Sequence, residues 1–146
     1  TIIQMPINEN TSDLESCLIE FMKREKLDGD SQYFCENCNK LRIASKRTEI
    51  KRFQKNLIFS LKRYDSNLNK INKNIDMPLE WKSYKLKGII YHSGNLSGGH
   101  YIYAGEENGK WFLFNDSFVS EINNINALNQ YKNFGYVYHY EKKIQP

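Results

Sequence analysis

The sequence predicts an α+β fold: a mainly antiparallel, β-rich sheet with one well-formed helix. Three observations predict it. Short runs of aromatic and β-branched residues recur, among them Tyr101-Ile102-Tyr103-Ala104, Trp111-Phe112-Leu113-Phe114 and Tyr136-Val137-Tyr138-His139-Tyr140. Clusters of Gly, Asn and Asp separate those runs. One stretch repeats its apolar residues clearly at helical spacing: Leu14, Cys17, Leu18, Phe21 and Met22. No internal repeat or linker interrupts the chain, so residues 1–146 are read as one unit.

The elements follow in order. Ile2 to Ile7 is a short strand whose Pro6 confines it to an edge or a strand start. The helix opens at Thr11 to Glu15, with Ser12 and Glu15 spaced as a capping box, and Asp28-Gly29-Asp30 closes it. Cys35-Glu36-Asn37-Cys38 forms a tight turn between strands. Ile43 to Phe53 and Leu57 to Tyr64 read as two further strands. Asp65 to Asp76 is polar, turn-rich and exposed. Tyr84 to His92 alternates Tyr84, Leu86, Gly88 and Ile90 on one face against Lys85, Lys87, Ile89 and Tyr91 on the other. Val119 to Ile122 is a short strand, Asn124 to Gln130 a helix, and Tyr136 to Tyr140 the last strand.

Composition narrows the function classes. The 146 residues, 40% hydrophobic and 14% aromatic, suffice for one core. No apolar run reaches membrane-spanning length, and Thr1-Ile2-Ile3-Gln4 does not read as a signal peptide. The net charge of +4 is a small excess, concentrated in Lys40 to Lys55 and Lys142-Lys143. It fits a solvated strand face better than a nucleic-acid site. Three cysteines, two of them in a C-x-x-C, point to a reducing compartment, cytoplasmic or nuclear, rather than to a disulfide framework.

The chemistry gathers in Tyr91-His92-Ser93-Gly94-Asn95-Leu96-Ser97-Gly98-Gly99-His100-Tyr101 and Phe114-Asn115-Asp116-Ser117. A glycine-rich loop delivers His100 onto a strand, and the next strand ends in an amide and a carboxylate. Gly105 to Gly109 turns between them. A four-residue loop puts His100 opposite Asn115. A two-residue Asn108-Gly109 turn puts His100 opposite Ser117, with Asn115 diagonal to it. Either even-length turn leaves His100 and Asn115 on one face, because side chains alternate with period two. Such a pair suits a base and its orienting partner. Asp116 falls on the opposite face of a regular strand, or turns back at the strand end. Gly94, Gly98 and Gly99 suit a loop that closes over a ligand.

Cys17 lies in the apolar stripe of the helix, without a helix N-terminus to activate it, and is read as a structural thiol. Cys35 and Cys38 have the spacing of half a tetrahedral zinc site. A redox dithiol or a metal-free knuckle fits the same spacing.

These motifs resemble the ubiquitin-specific protease family of cysteine deubiquitinases. Gly98-Gly99-His100-Tyr101, Phe114-Asn115-Asp116-Ser117, Leu61-Lys62-Arg63-Tyr64 and the Cys35–Cys38 pair with Ala44-Ser45-Lys46 stand in the family's order. The resemblance implies a papain-like cysteine protease fold, with residues 1–60 near the fingers and 61–146 forming the palm. It implies that His100 is the general base, Asn115 the third triad member and Asp116 an assisting neighbour. Ubiquitin is the implied partner. The loops at 65–76 and 93–99, with Ser93, Gly94, Gly98 and Gly99, would close over its C-terminal tail, and Tyr91, Tyr101 and Tyr103 would line the channel.

The family's nucleophile box is absent from the sequence, as is its first zinc Cys pair. The resemblance therefore implies that the nucleophilic Cys, the helical thumb and the other two zinc ligands come from an N-terminal segment outside this chain. The alternatives are an inactive ubiquitin-binding scaffold and a zinc-ribbon interaction module.

Overall fold

The computed structural model of the protein describes residues 1–145. Its strands are β1 (Ile2–Met5), β2 (Glu25–Leu27), β3 (Tyr33–Cys35), β4 (Lys40–Arg42), β5 (Ala44–Lys46), β6 (Asn56–Leu61), β7 (Glu80–Trp81), β8 (Tyr84–Gly94), β9 (Gly99–Glu107), β10 (Lys110–Asn115), β11 (Phe118–Ile122) and β12 (Gly135–Lys142). The helix α1 spans Leu14–Phe21, and a 3-10 helix covers Ile125–Tyr131. Eight strands form one sheet in the order β1-β6-β12-β8-β9-β10-β11, with β7 beside β8. The fold is α+β, as the sequence predicts.

β1 lies at the edge of the sheet, parallel to β6. A parallel pair needs a long crossover. Here α1 and two small two-stranded sheets, β2–β5 and the β3–β4 hairpin between them, supply it. Those small sheets occupy residues 25–46, whereas β1, α1 and β6 belong to the main sheet and its cover.

The helix differs from expectation at both ends. Asp13, not Ser12, is its N-cap, and the capping box pairs Asp13 with Ser16. Ser12 is committed elsewhere, since its carbonyl accepts from Asp76 N. The helix stops at Met22 and β2 follows, so Asp28-Gly29-Asp30 does not close it. Leu14, Cys17 and Leu18 are buried, while Met22 is exposed. The strand expected over 43–53 shrinks to Ala44–Lys46, because residues 47–53 have no partner strand among the described residues.

The alternation expected along β8 breaks at Lys87. His139 pairs with Gly88 and Tyr140 with Leu86, so Lys87 is an extra residue, a β-bulge. The bulge switches faces. Tyr84 and Leu86 point into the core before it, Ile89 and Tyr91 after it.

Phe59 packs edge-to-face on Trp81 and Tyr140, with ring centroids 6.0 and 5.7 Å apart. Trp81 Nε1 donates to Glu15 Oε1 at 2.5 Å and fastens the helix to the sheet. Truncating a ring buried as completely as Phe59 costs about 3–5 kcal/mol. Arg63 is also fully buried and has no carboxylate partner among the described residues. It donates to four carbonyls: Gly135 (2.5 Å), Ile71 (3.0 Å), Lys73 (2.8 Å) and Lys132 (3.0 Å). The 65–76 loop is thus tied to the start of β12, and Ile75 within it is a core residue.

Candidate functional site

The site lies where β8, β9 and β10 end on one side of the sheet. β8 and β9 form a hairpin closed by Gly94 opposite Gly99. Its tip is held from within: Asn95 N donates to Gly98 O at 3.0 Å, and Asn95 Oδ1 accepts from Ser97 N and Gly98 N. Gly94 has φ +98°, and a Cβ there would lie 2.5 Å from Gly98 O. A Cβ on Gly99 would collide with His92 Nε2, whereas Gly98 is uncrowded. The glycines therefore shape a fixed tip at two of the three positions.

β9 and β10 are joined by a two-residue turn, Asn108 (φ 51°) and Gly109 (φ 82°), with Glu107 opposite Lys110. This is the shorter of the two expected turns. Tyr103 faces Phe114, and that register carries His100 to the place diagonal to Asn115. His100 Nε2 lies 2.6 Å from Asn115 Oδ1. An amide oxygen only accepts, so Nε2 carries the proton and Nδ1 keeps a free lone pair. Both side chains are half-buried at the end of the core-facing side, which continues through Ala104 and Trp111 into the core.

Glu106 steadies the same turn. Its buried carboxylate pairs with Lys85 at 2.8 Å, with Lys87, and with Gly109 N at 3.0 Å. Hydrogen bonds from the two lysines hold its pKa down to about 2. Nothing in the sequence singled out this carboxylate, since a Glu before Asn-Gly reads as a turn residue.

Asp116 does not continue the strand. Asn115 pairs with Phe118, leaving Asp116 (φ 52°) and Ser117 as a two-residue turn. Asp is among the few residue types that tolerate this left-handed backbone. Asp116 is exposed, and among the described residues no hydrogen bond ties its carboxylate to His100.

The expected channel tyrosines divide. Tyr91 is buried in the core, packed on Tyr131 with its hydroxyl directed to Leu128 O at 3.4 Å, and cannot line a channel. That expectation is corrected: the bulge at Lys87 turned Tyr91 inward. Tyr101 and Tyr103 are exposed, on the sheet face opposite His100. The ring of Tyr103 lies over Gly88 and Gly105, where any Cβ would strike it. Ser93 stands across from His100, and its hydroxyl donates to the His100 carbonyl at 3.5 Å.

The three thiols differ. Burial raises Cys17 to about 11, so it is a poor nucleophile at neutral pH. Cys35 and Cys38 flank the β3–β4 turn, with Cys38 N donating to Cys35 Sγ at 3.4 Å. Hydrogen bonds from Cys38, its backbone N–H foremost, lower the Cys35 pKa. Arg42 reaches Cys38 Sγ at 3.7 Å. Two adjacent thiols on one knuckle suit zinc, but among the described residues no group of three or more His, Cys, Asp or Glu side chains is placed to complete a site.

A protein-family model described as ubiquitin carboxyl-terminal hydrolase matches residues 8–140. Ubiquitin carboxyl-terminal hydrolase 5 of Saccharomyces cerevisiae is 30% identical over 84% of this chain and 19% of its own length. Ubiquitin carboxyl-terminal hydrolase 4 of Candida glabrata is 31% identical over 80% of this chain and 17% of its own. Among solved structures, a SAGA DUB module bound to ubiquitin aldehyde matches with a TM-score of 0.75 at 28% identity, over 99% of this chain and 36% of the matched one. A SAGA DUB module bound to monoubiquitin matches with a TM-score of 0.76 at 30% identity, over 99% and 35%. The chain thus spans about a fifth of those curated relatives and about a third of those solved chains.

Proposed function

This chain belongs to the ubiquitin carboxyl-terminal hydrolase family, and we propose that it carries the base and orienting residues of a cysteine-type deubiquitinase. The hydrogen bond of 2.6 Å between His100 Nε2 and Asn115 Oδ1 carries this reading. It fixes the tautomer that leaves Nδ1 free to take a thiol proton.

The nucleophilic Cys comes from a segment outside this chain. Cys17 is buried, and Cys35 and Cys38 sit on the knuckle between β3 and β4. His100 Nδ1 accepts the thiol proton. The thiolate attacks the carbonyl carbon of ubiquitin's terminal glycine, and His100 returns the proton to the departing lysine amine. Water then hydrolyses the thioester, with His100 again as base. Asn115 keeps the imidazole oriented throughout. Ser93, Gly94, Gly98 and Gly99 form the near wall of the tail-binding cleft, Tyr101 lies on the far face of the sheet, and Asp116 orients the strand end rather than touching the imidazole. Cys35 and Cys38 are half of a structural zinc site completed by the same outside segment, with no part in the chemistry.

Covalent capture tests this. The intact enzyme is treated with ubiquitin bearing a C-terminal thiol-reactive group, and every polypeptide is weighed by mass spectrometry. The expected adduct is one ubiquitin on a cysteine outside residues 1–146, lost with His100→Ala. Reversible ubiquitin binding with no adduct would favour the inactive scaffold.

A further inference from the structure

We propose that Lys70 and His92 form a latch that positions His100 from the opposite face of the sheet. The inference rests on His100 being the base, and goes beyond it by assigning two positioning residues.

Lys70 lies in the 65–76 loop, 22 residues from His92. Its ammonium donates to His92 O at 2.6 Å and lies 3.1 Å from His92 Nδ1. It also sits over the Phe134 ring, 5.7 Å from the centroid. An ammonium has only protons to give, so Nδ1 accepts and His92 is neutral, with its own proton on Nε2. Burial first, and then the charge of Lys70, lower the pKa of His92. Burial, followed by the charge of Arg63, lowers that of Lys70. The backbone of His92 is fixed as well, because its N–H donates to Phe134 O at 2.9 Å.

The His92 ring then meets both neighbours of His100. It packs on Tyr101 with ring centroids 4.6 Å apart. It also occupies the space where a Gly99 side chain would begin. His92 is opposite Tyr101 and Ser93 opposite His100, so His92 and His100 project from opposite faces. One imidazole therefore clamps the backbone on both sides of His100 without approaching the reacting atoms. Simple core filling would not require the ammonium, and the Gly99 position is closed to a Cβ by the His92 ring together with the Ser93 carbonyl oxygen. A charged donor aimed at Nδ1 sets the ring's tautomer and angle, and the glycine makes room for it.

The test uses Lys70→Met, which keeps the length of the stem but removes the donor, and Lys70→Arg, which restores one. In the intact enzyme, Lys70→Met is expected to lower kcat for a fluorogenic ubiquitin amide roughly 10- to 100-fold with KM little changed, and Lys70→Arg to recover most of it. Nitrogen-15 imidazole spectra should show His92 losing its single tautomer in Lys70→Met, and the His100 Nε2–H signal broadening. Gly99→Ala should also lower kcat, but its Cβ would strike the Ser93 carbonyl as well as the His92 ring, so Lys70→Met and its Lys70→Arg rescue carry the test. Unchanged His100 ring signals and unchanged kcat in Lys70→Met would overturn the latch. The spectra report on the latch whatever the chemistry. Retained hydrolysis in His100→Ala would instead overturn the base assignment.

Discussion

Arg63 Nε donates to the carbonyl oxygen of Gly135, 72 residues further along the chain, at 2.5 Å. Three other backbone carbonyls share the same guanidinium. An unpaired buried carbonyl costs about 1–3 kcal/mol. Arg63→Ala should therefore lower stability by on the order of 3–5 kcal/mol, read from the urea midpoint. Lys at this position reaches too few of the four acceptors, so Arg63→Lys should recover only part. A midpoint within experimental error of wild type would show that the loop finds other partners.

Glu106 gives the fold an acid limb. Its pKa is held to about 2, below the ordinary 4.5, by Lys85 and Lys87. A depressed carboxylate contributes its stability above the unfolded value, and loses it as pH falls from 4.5 towards 2. Glu106→Gln should reduce stability at neutral pH and flatten the loss across that window. Parallel stability curves for variant and wild type between those limits would remove Glu106 as the cause.

The thiols should separate by accessibility. Cys17 is fully buried with its pKa raised to about 11, whereas Cys35 has a lowered pKa and Cys38 is exposed. Brief iodoacetamide treatment of the metal-free protein should add two labels to this chain and spare Cys17 until urea is added. Zinc held by Cys35 and Cys38 should protect both, and a chelator should expose them. Labelling at Cys17 in the folded protein would contradict its packing.

Asn115 should matter through the imidazole alone. Asn115→Ala removes the acceptor that fixes Nε2–H and should lower kcat about 10- to 1,000-fold with ubiquitin affinity little changed. Asn115→Asp keeps an acceptor oxygen and should retain more activity than Ala. The reverse order would argue against an orienting role.

Local patterns exposed much of this site. Asn108-Gly109 specifies a two-residue turn, and period-two alternation puts His100 and Asn115 together for either even turn. What escaped the sequence depends on distant partners. The bulge at Lys87, which sends Tyr91 inward, exists only against β12. Ser12 and Asp13 are equally good caps, and Asp76 chooses between them by engaging the Ser12 carbonyl. The latch between Lys70 and His92 has no local signature, because a loop lysine reads as solvated. Residues 47–53 are expected to extend a strand, but strands need partners, and none lies alongside among the described residues.

The most direct measurement of the central claim compares His100→Ala with wild type in two assays on the intact enzyme: hydrolysis of a ubiquitin amide, and equilibrium binding of ubiquitin. Hydrolysis is expected to vanish while the dissociation constant stays close to wild type, because His100 moves a proton and holds little of the substrate. Equal loss of hydrolysis and binding, or hydrolysis that survives, would contradict the assignment of His100 as the general base.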